Sequence, residues 1–319
     1  MTAARARGRD LGFTLFTGSI GFLVVLLVIA IGVELVRQSM LSISKFGMTF
    51  WISGVWDPVS GEFGARPFIW GTLYSSILAL LIASPIALGI AMFLSELCPA
   101  WLRTPLIFLT ELLAAIPSIV YGLWGFFVLV PVVRAMETHF PPFLRQLPLF
   151  SGPSVGIGML AAVLILAVMV IPFTASVARE VLKAVPVAQR EAAYALGATR
   201  WEAIKAALFY ARTGIIGAVM LGFGRALGET MAVTMLIGNN PQVSLSLFQP
   251  QHTMASVIAT EFTEATGDLY LNALIEVGLV LFLITLVVNV ASRILIWNMN
   301  RTVKVRVASP TAAVLGEAI

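Results

Sequence analysis

The sequence is short of charge, of cysteine and of histidine. Charged residues make up 11% of the 319, where a soluble globular domain carries about 25%. Apolar residues make up 59%, a surplus that no single soluble core would bury. That combination argues against a soluble enzyme, a nucleic-acid-binding module and a disordered chain. The single cysteine, Cys98, excludes an intramolecular disulfide and any cysteine-based metal site. His139 and His252 are the only histidines and stand far apart, so no metal centre is expected. None of the four lysines has glycine before it and Ser or Thr after it, so the chain carries no P-loop. Tandem repeats, low-complexity tracts and a separate soluble domain are also missing.

What is present is apolar length. The mean hydropathy is +0.96, and six windows exceed the roughly 18 residues that mark a transmembrane helix. They are Leu11–Leu35, Phe68–Leu94, Leu106–Val133, Val155–Val177, Ile215–Gly238 and Leu271–Ile296. The chain therefore reads as an all-α integral membrane protein of six transmembrane helices. Thr104-Pro105 is expected to start the third, threonine as cap and proline at the first helical position. Pro85, Pro117 and Pro172 lie inside windows and are expected to mark bends. Arg5, Arg7 and Arg9 precede the first window as they would a signal peptide. That window is too long for one and no small-residue cleavage site follows, so an uncleaved span is expected.

Lysine and arginine placement orients the spans. The N-terminal arm, the second loop with Arg103, the fourth loop from Arg179 to Arg212 and the tail from Arg293 hold 14 Lys and Arg, and the opposite side holds 5. Arg225 is the remaining one, inside a span. Both termini and the fourth loop should be cytoplasmic, and the loops at 36–67, 134–154 and 239–270 should lie outside. With its basic residues so gathered, the net charge of +4 needs no polyanionic partner; membrane lipid is expected, nucleic acid is not. Trp51 and Trp56 are expected at the outer interface. Pro141, Pro142, Pro148 and Pro153 call for irregular backbone. Met254, Val257, Ile258, Phe262 and Ala265 repeat at helical spacing behind a Thr253 cap. That short helix either covers the outer mouth of the bundle or lies on the membrane.

The fourth loop is the one long polar stretch assigned to the cytoplasm. Helix formers run from Val187 to Leu196, Gly197 interrupts them, and Thr199 with Glu202 forms a capping box for a second helix. A helix–glycine–helix elbow of this kind either projects a knob that docks into a partner or is a solvated linker. The series Glu191-Ala192-Ala193, three residues, then Gly197 resembles the EAA signature of membrane subunits of ATP-binding-cassette importers, where it forms the helix seated in a cleft of the ATPase. A proline usual in that family is replaced here by Phe209. GRALGETMAV (Gly224–Val233) and ELLAAIPSIVYGLWG (Glu111–Gly125) carry the resemblance further, to the PstC-type permeases of the phosphate-specific importer.

The resemblance implies a type I ABC importer permease fold and a phosphate permease subunit in the bacterial inner membrane. It implies a PstA-type partner permease, two copies of a PstB-type ATPase and a PstS-type periplasmic phosphate-binding protein. ATP and Mg would sit on the partner ATPase, with no cofactor on this chain and no catalytic residue. Residues 1–66 would form an N-terminal arm, first span and outer loop, 67–297 the permease domain with its coupling helix near 187–205, and 298–319 a cytoplasmic tail. Glu191, Ala192, Ala193 and Gly197 would carry ATPase coupling.

Four ionisable residues away from the window ends need an account, since a central charge costs at least ~2.5–3.5 kcal/mol. Arg225 reads as mid-span, with Glu229 at i+4 on the same helix face and Gly224 and Gly228 as a GxxxG contact. The arginine fork suits a tetrahedral oxyanion, so the pair is either part of the substrate path or a structural ion pair; the resemblance favours the path. Glu111 and Glu276 read as interhelix hydrogen-bonding or interfacial residues. Arginine chemistry does not choose between phosphate, sulfate and molybdate. A proton-coupled secondary transporter would leave the elbow unexplained, and an intramembrane enzyme would lack a nucleophile–base or metal constellation.

Overall fold

The computed structural model describes the backbone of residues 2–301 and the side-chain surroundings of residues 13–299. The side chains of Arg5, Arg7, Arg9, Arg301, Lys304 and Arg306, which entered the charge reading, lie outside the described set, as does the tail beyond residue 301.

Helix α1, Thr2–Gln38, is followed by α2, Met40–Phe46, the short α3, Thr49–Ile52, and a two-stranded hairpin. In the hairpin β1, Trp56–Asp57, pairs antiparallel with β2, Glu62–Phe63, placing Trp56 opposite Phe63. Helix α4, Arg66–Met92, ends in a π-helical turn at Phe93–Leu97. Then come α5, Ala100–Ala115, α6, Ser118–Trp124, and α7, Val130–Thr138, the last two joined by a π-helical turn. Helix α8 is Met159–Lys183, α9 Val187–Ala195 and α10 Arg200–Leu227. Helix α11 is Met231–Leu236, α12 Met254–Glu261 and α13 Asp268–Arg301.

Among the described residues six stretches are long and apolar enough to cross a membrane: Phe13–Gln38, Arg66–Leu97, Ser118–Thr138, Met159–Lys183, Arg200–Leu227 and Asp268–Met299. Pro85 and Pro172 sit within the unbroken α4 and α8. Pro117 instead ends a helix. Its φ of −57° and ψ of 139° leave the helical region, and proline also disfavours helical backbone at the residue before it. The window Leu106–Val133 is therefore divided between α5 and the continuous helical stretch Ser118–Thr138, and only the latter is long enough to cross. Thr104-Pro105 does not open α5. The helix starts at Ala100 behind Pro99, whose carbonyl accepts the first intrahelical bonds from Leu102 and Arg103, and Pro105 lies inside it.

The chain packs as two compact units. One comprises residues up to Ala79 with Ile116–Met169 and Ala226–Thr285; the other comprises Leu80–Ala115, Val170–Arg225 and residues from Leu286 on. In the first unit, Phe50, Phe63 and Phe68 pack with Met254, Val257, Leu274 and Val277. Helix α12 is thus a core element: Thr253 and Ser256 form a reciprocal capping box, and Met254 to Val257 are buried. That removes the reading of a helix lying on the membrane. The loop before α12 is fastened to α4, where Trp70 Nε1 donates to the Ser244 carbonyl at 2.9 Å and Thr72 Oγ1 accepts from Met254 N at 2.9 Å. A second cluster joins Tyr121, Ile165, Met169 and Leu236, with α11 drawn close because Gly122 has no side chain to meet Met235 and Ala232. Within this unit α1 meets its neighbours near its end, with Gly32 against Phe282 and Leu35 against Gly278. Its described residues from Phe13 to Ile31 are exposed, which costs nothing where the surroundings are lipid.

In the second unit, small residues set the spacing. Ala178, Ala207, Ala211 and Ala218 are buried with Leu182 and Val185. Gly222 lies so close to Thr174, and Gly214 to Val181, that a Cβ at either would clash. Close approach at small residues is how helices gain packing where lipid competes for apolar contact.

Candidate functional site

The elbow forms as the residue pattern predicts. Glu191, Ala192 and Ala193 lie on α9, and Gly197 follows with a φ of +81°, a left-handed conformation that any side chain would strain. The Gly197 and Ala198 amides bond back to the carbonyls of Tyr194 and Ala193 at 2.9 and 3.1 Å, closing the helix end with the glycine motif that absorbs orphan carbonyls. Thr199 N donates to Glu202 Oε2 at 2.7 Å and Glu202 N to Thr199 Oγ1 at 3.4 Å, so the capping box starts α10. Helix α10 then runs through Phe209 without interruption; proline is absent, and so is a break. The tip is apolar: Leu196 is 89% exposed, with Tyr194, Val187 and Trp201 exposed around it.

The elbow is clamped at its root. Arg190 forks onto Glu96, on the π-helical turn after α4, with Nη2 to Oε1 at 2.6 Å and Nε to Oε1 and Oε2 at 3.2 and 3.3 Å. The same guanidinium donates to the carbonyls of Val185 and Leu182. Arg200, at the start of α10, donates to the Glu96 carbonyl at 2.8 Å. Glu96 thus ties both arms of the elbow to the end of α4. The geometry is bidentate and half-buried, unlike an exposed pair that contributes little. Sequence reasoning counted Arg190 and Arg200 only as orienting charges and passed over Glu96; the signal was a lone carboxylate at the end of an apolar window. Glu111 pairs with the buried Arg179 at 3.1 Å, the interhelix role expected of it. Glu276 is buried beside Ser42.

The Arg225 run differs from its reading. Helix α10 ends at Leu227, so Arg225 sits in the last turn, Gly228 and Glu229 lie beyond the helix, and neither the i+4 face nor the GxxxG contact exists as a helical feature. Gly228-Glu229-Thr230 separates α10 from α11, and local hydrogen bonds satisfy freed backbone groups there. Glu229 Oε1 accepts from Ala232 N at 3.4 Å, and Thr230 Oγ1 donates to the Gly228 carbonyl at 3.2 Å. Arg225 closes one compact unit and Glu229 belongs to the other. The guanidinium lies 5.5 Å from the Phe173 ring centroid, and its buried Nε has no hydrogen-bond partner among the described residues. An unpartnered guanidinium donor at a helix break is a group suited to receiving an anion.

Comparison with known proteins gives a consistent picture. Residues 85–305 match the family described as binding-protein-dependent transport system inner membrane component. The chain is similar to a phosphate transport system permease protein PstC of Haemophilus influenzae, with 48% identity over 90% of this chain and 92% of that one. It resembles a PstC of Pasteurella multocida at 48% identity over 92% and 93% of the two chains. A probable PstC of Methanocaldococcus jannaschii shares 39% identity over 78% and 81%. Among solved structures, the inward-facing MetNI methionine ABC transporter matches with a TM-score of 0.55, covering 72% of this chain and 94% of that one. At 18% identity that likeness is one of fold.

Proposed function

The chain belongs to the family of binding-protein-dependent transport system inner membrane components, and we propose how its parts serve that role. It is a multi-pass membrane permease subunit of a phosphate ABC importer, a transport component rather than an enzyme. Coupling to a separate ATPase falls to the elbow of Glu191, Ala192, Ala193 and Gly197. The observation that carries this reading is an apolar tip, Leu196, held out by a left-handed glycine and fixed at its root by Glu96. A knob gripped at its base transmits force in both directions; a solvated linker would not be clamped.

ATP and Mg are assigned to two PstB-type ATPases, since the sequence has no P-loop. A PstA-type permease completes the path, and a PstS-type protein delivers phosphate to the outer loops. Both termini and the elbow are assigned to the cytoplasm. ATP-driven closure of the ATPases would move the elbows and reorient the spans by alternating access. Arg225, with an unpartnered Nε at a helix break, is proposed to meet the anion in transit. Glu229, which caps α11, lowers the net charge of the empty path. The test is radiolabelled phosphate uptake by the reconstituted complex. Uptake should require ATP and the binding protein; uptake driven by a proton gradient without ATP would overturn the coupling role.

A further inference from the structure

Behind the elbow, wholly within the second compact unit, lies a cavity of about 320 Å³ whose lining includes Glu96, Arg103, Arg179, Lys183 and Arg190. We infer that it is a second anion site, taking a phosphate group either as free phosphate from the elbow side or as the headgroup of an anionic lipid. It shares no residue with the proposed path, so the two readings stand or fall separately.

The inference rests on how the charges are satisfied. Arg190 is matched by Glu96. Arg179, 9% exposed, also lines it and holds Glu111 at 3.1 Å and Glu180 at 2.6 Å. Arg103 and Lys183 are not matched. Arg103 gives one hydrogen bond, to the Cys98 carbonyl at 3.2 Å, and no described carboxylate pairs with it. Lys183 Nζ has neither a hydrogen bond nor an ion pair among the described residues. Both side chains line the same cavity. The lining therefore holds four cations and one carboxylate, with two of the cations free to receive an anion. An arginine fork beside a lysine point charge is a phosphate-binding pair, and basic pockets between spans on the cytoplasmic side hold lipid headgroups. The volume admits a phosphate group with several waters, at about 30 Å³ of liquid volume per water. An occupant would lie beside Arg190, the residue that secures the elbow, so occupancy would bear on coupling.

The test uses the whole permease–ATPase complex in nanodiscs. The variant is Arg103→Gln/Lys183→Gln, both positions being exposed. In discs of phosphatidylcholine alone, binding of radiolabelled inorganic phosphate should show one class of site in the unaltered complex that the variant binds at least about tenfold more weakly, as the loss of charged hydrogen bonds requires. If the occupant is a headgroup, that difference disappears when phosphatidylglycerol is added to the discs. The unaltered complex then also retains phosphatidylglycerol through purification, and the variant loses it. Equal phosphate binding and equal phosphatidylglycerol retention by the two complexes overturns the proposal. Should the double variant assemble poorly, Lys183→Gln alone carries the same test, since that side chain bonds to nothing described.

Discussion

His252 is buried, with Nδ1 2.6 Å from Ser256 Oγ and Nε2 3.9 Å from Glu261 Oε1. Burial pushes its pKa down from 6.5 to about 4. The unfolded state then binds more protons between those values, so stability rises with pH across that window and is lost as pH falls from about 6.5 toward 4. The difference amounts to about 3 kcal/mol at most, less what Glu261 returns once the ring is charged. The thermal midpoint of the purified complex should fall over that range, and His252→Gln should flatten the fall; an unchanged slope would remove His252 as its source. Arg225 is tested by transport. Arg225→Gln should reduce phosphate uptake per assembled complex by about tenfold or more, and Arg225→Lys should also be impaired because a point charge replaces the fork. Glu229→Gln should be milder, since its amide oxygen can still accept from Ala232. If the double change to glutamine restores uptake, the two residues are a packing pair and the anion passes elsewhere. The identities of these residues were legible in the sequence, but their surroundings were not. A residue count places Arg225 mid-span, and only the backbone shows that the helix stops two residues later.

At the scale of elements, local chemistry read well and continuity did not. The glycine elbow, the Thr199–Glu202 capping box, the Thr253 cap and the short helix at Met254 were legible because each rests on hydrogen bonds between residues a few positions apart. The break at Pro117 and the unbroken run through Pro172 have the same apolar signature. In lipid the solvent sets hydropathy, so a window records where the chain is immersed and not where its helices end. The Glu96 clamp escaped because its partners lie 94 and 104 residues away, beyond any local pattern. The clamp makes its own prediction. Glu96→Gln keeps the shape but weakens the fork to Arg190, so the complex should assemble while ATP hydrolysis loses its response to the phosphate-loaded binding protein. Gly197→Val, which cannot hold a φ of +81° without strain, should do the same or weaken ATPase docking. Copurification of the ATPase with normal stimulated hydrolysis in both variants would show that the elbow needs neither its glycine nor its clamp.

For the whole molecule the question is which side each segment faces, and α5 decides it. Its 16 residues rise about 24 Å at 1.5 Å each, short of the roughly 30 Å hydrocarbon core, and it carries Arg103 and Glu111. If α5 does not cross, six spans remain, both ends of the chain lie on one side, and the 14 Lys and Arg gather there against 5 opposite, as the positive-inside rule asks. If α5 did cross as a seventh span, every later segment would change sides. The six basic residues between Arg179 and Arg212 would then lie outside, with the elbow facing away from any cytoplasmic ATPase. Single cysteines distinguish the two. In a Cys98→Ser background, Ala100, Thr199 and Gln242 are exposed positions. An impermeant thiol reagent should reach the first two only from the cytoplasm and Gln242 only from outside. Two spans separate Ala100 from Thr199 in the six-span arrangement and three in the other, so opposite-sided labelling of that pair would make α5 a crossing helix. Same-sided labelling of Thr199 and Gln242 would mean that α10 and the helix break at Gly228 turn back without crossing, and Arg225 would then lie at a re-entrant tip.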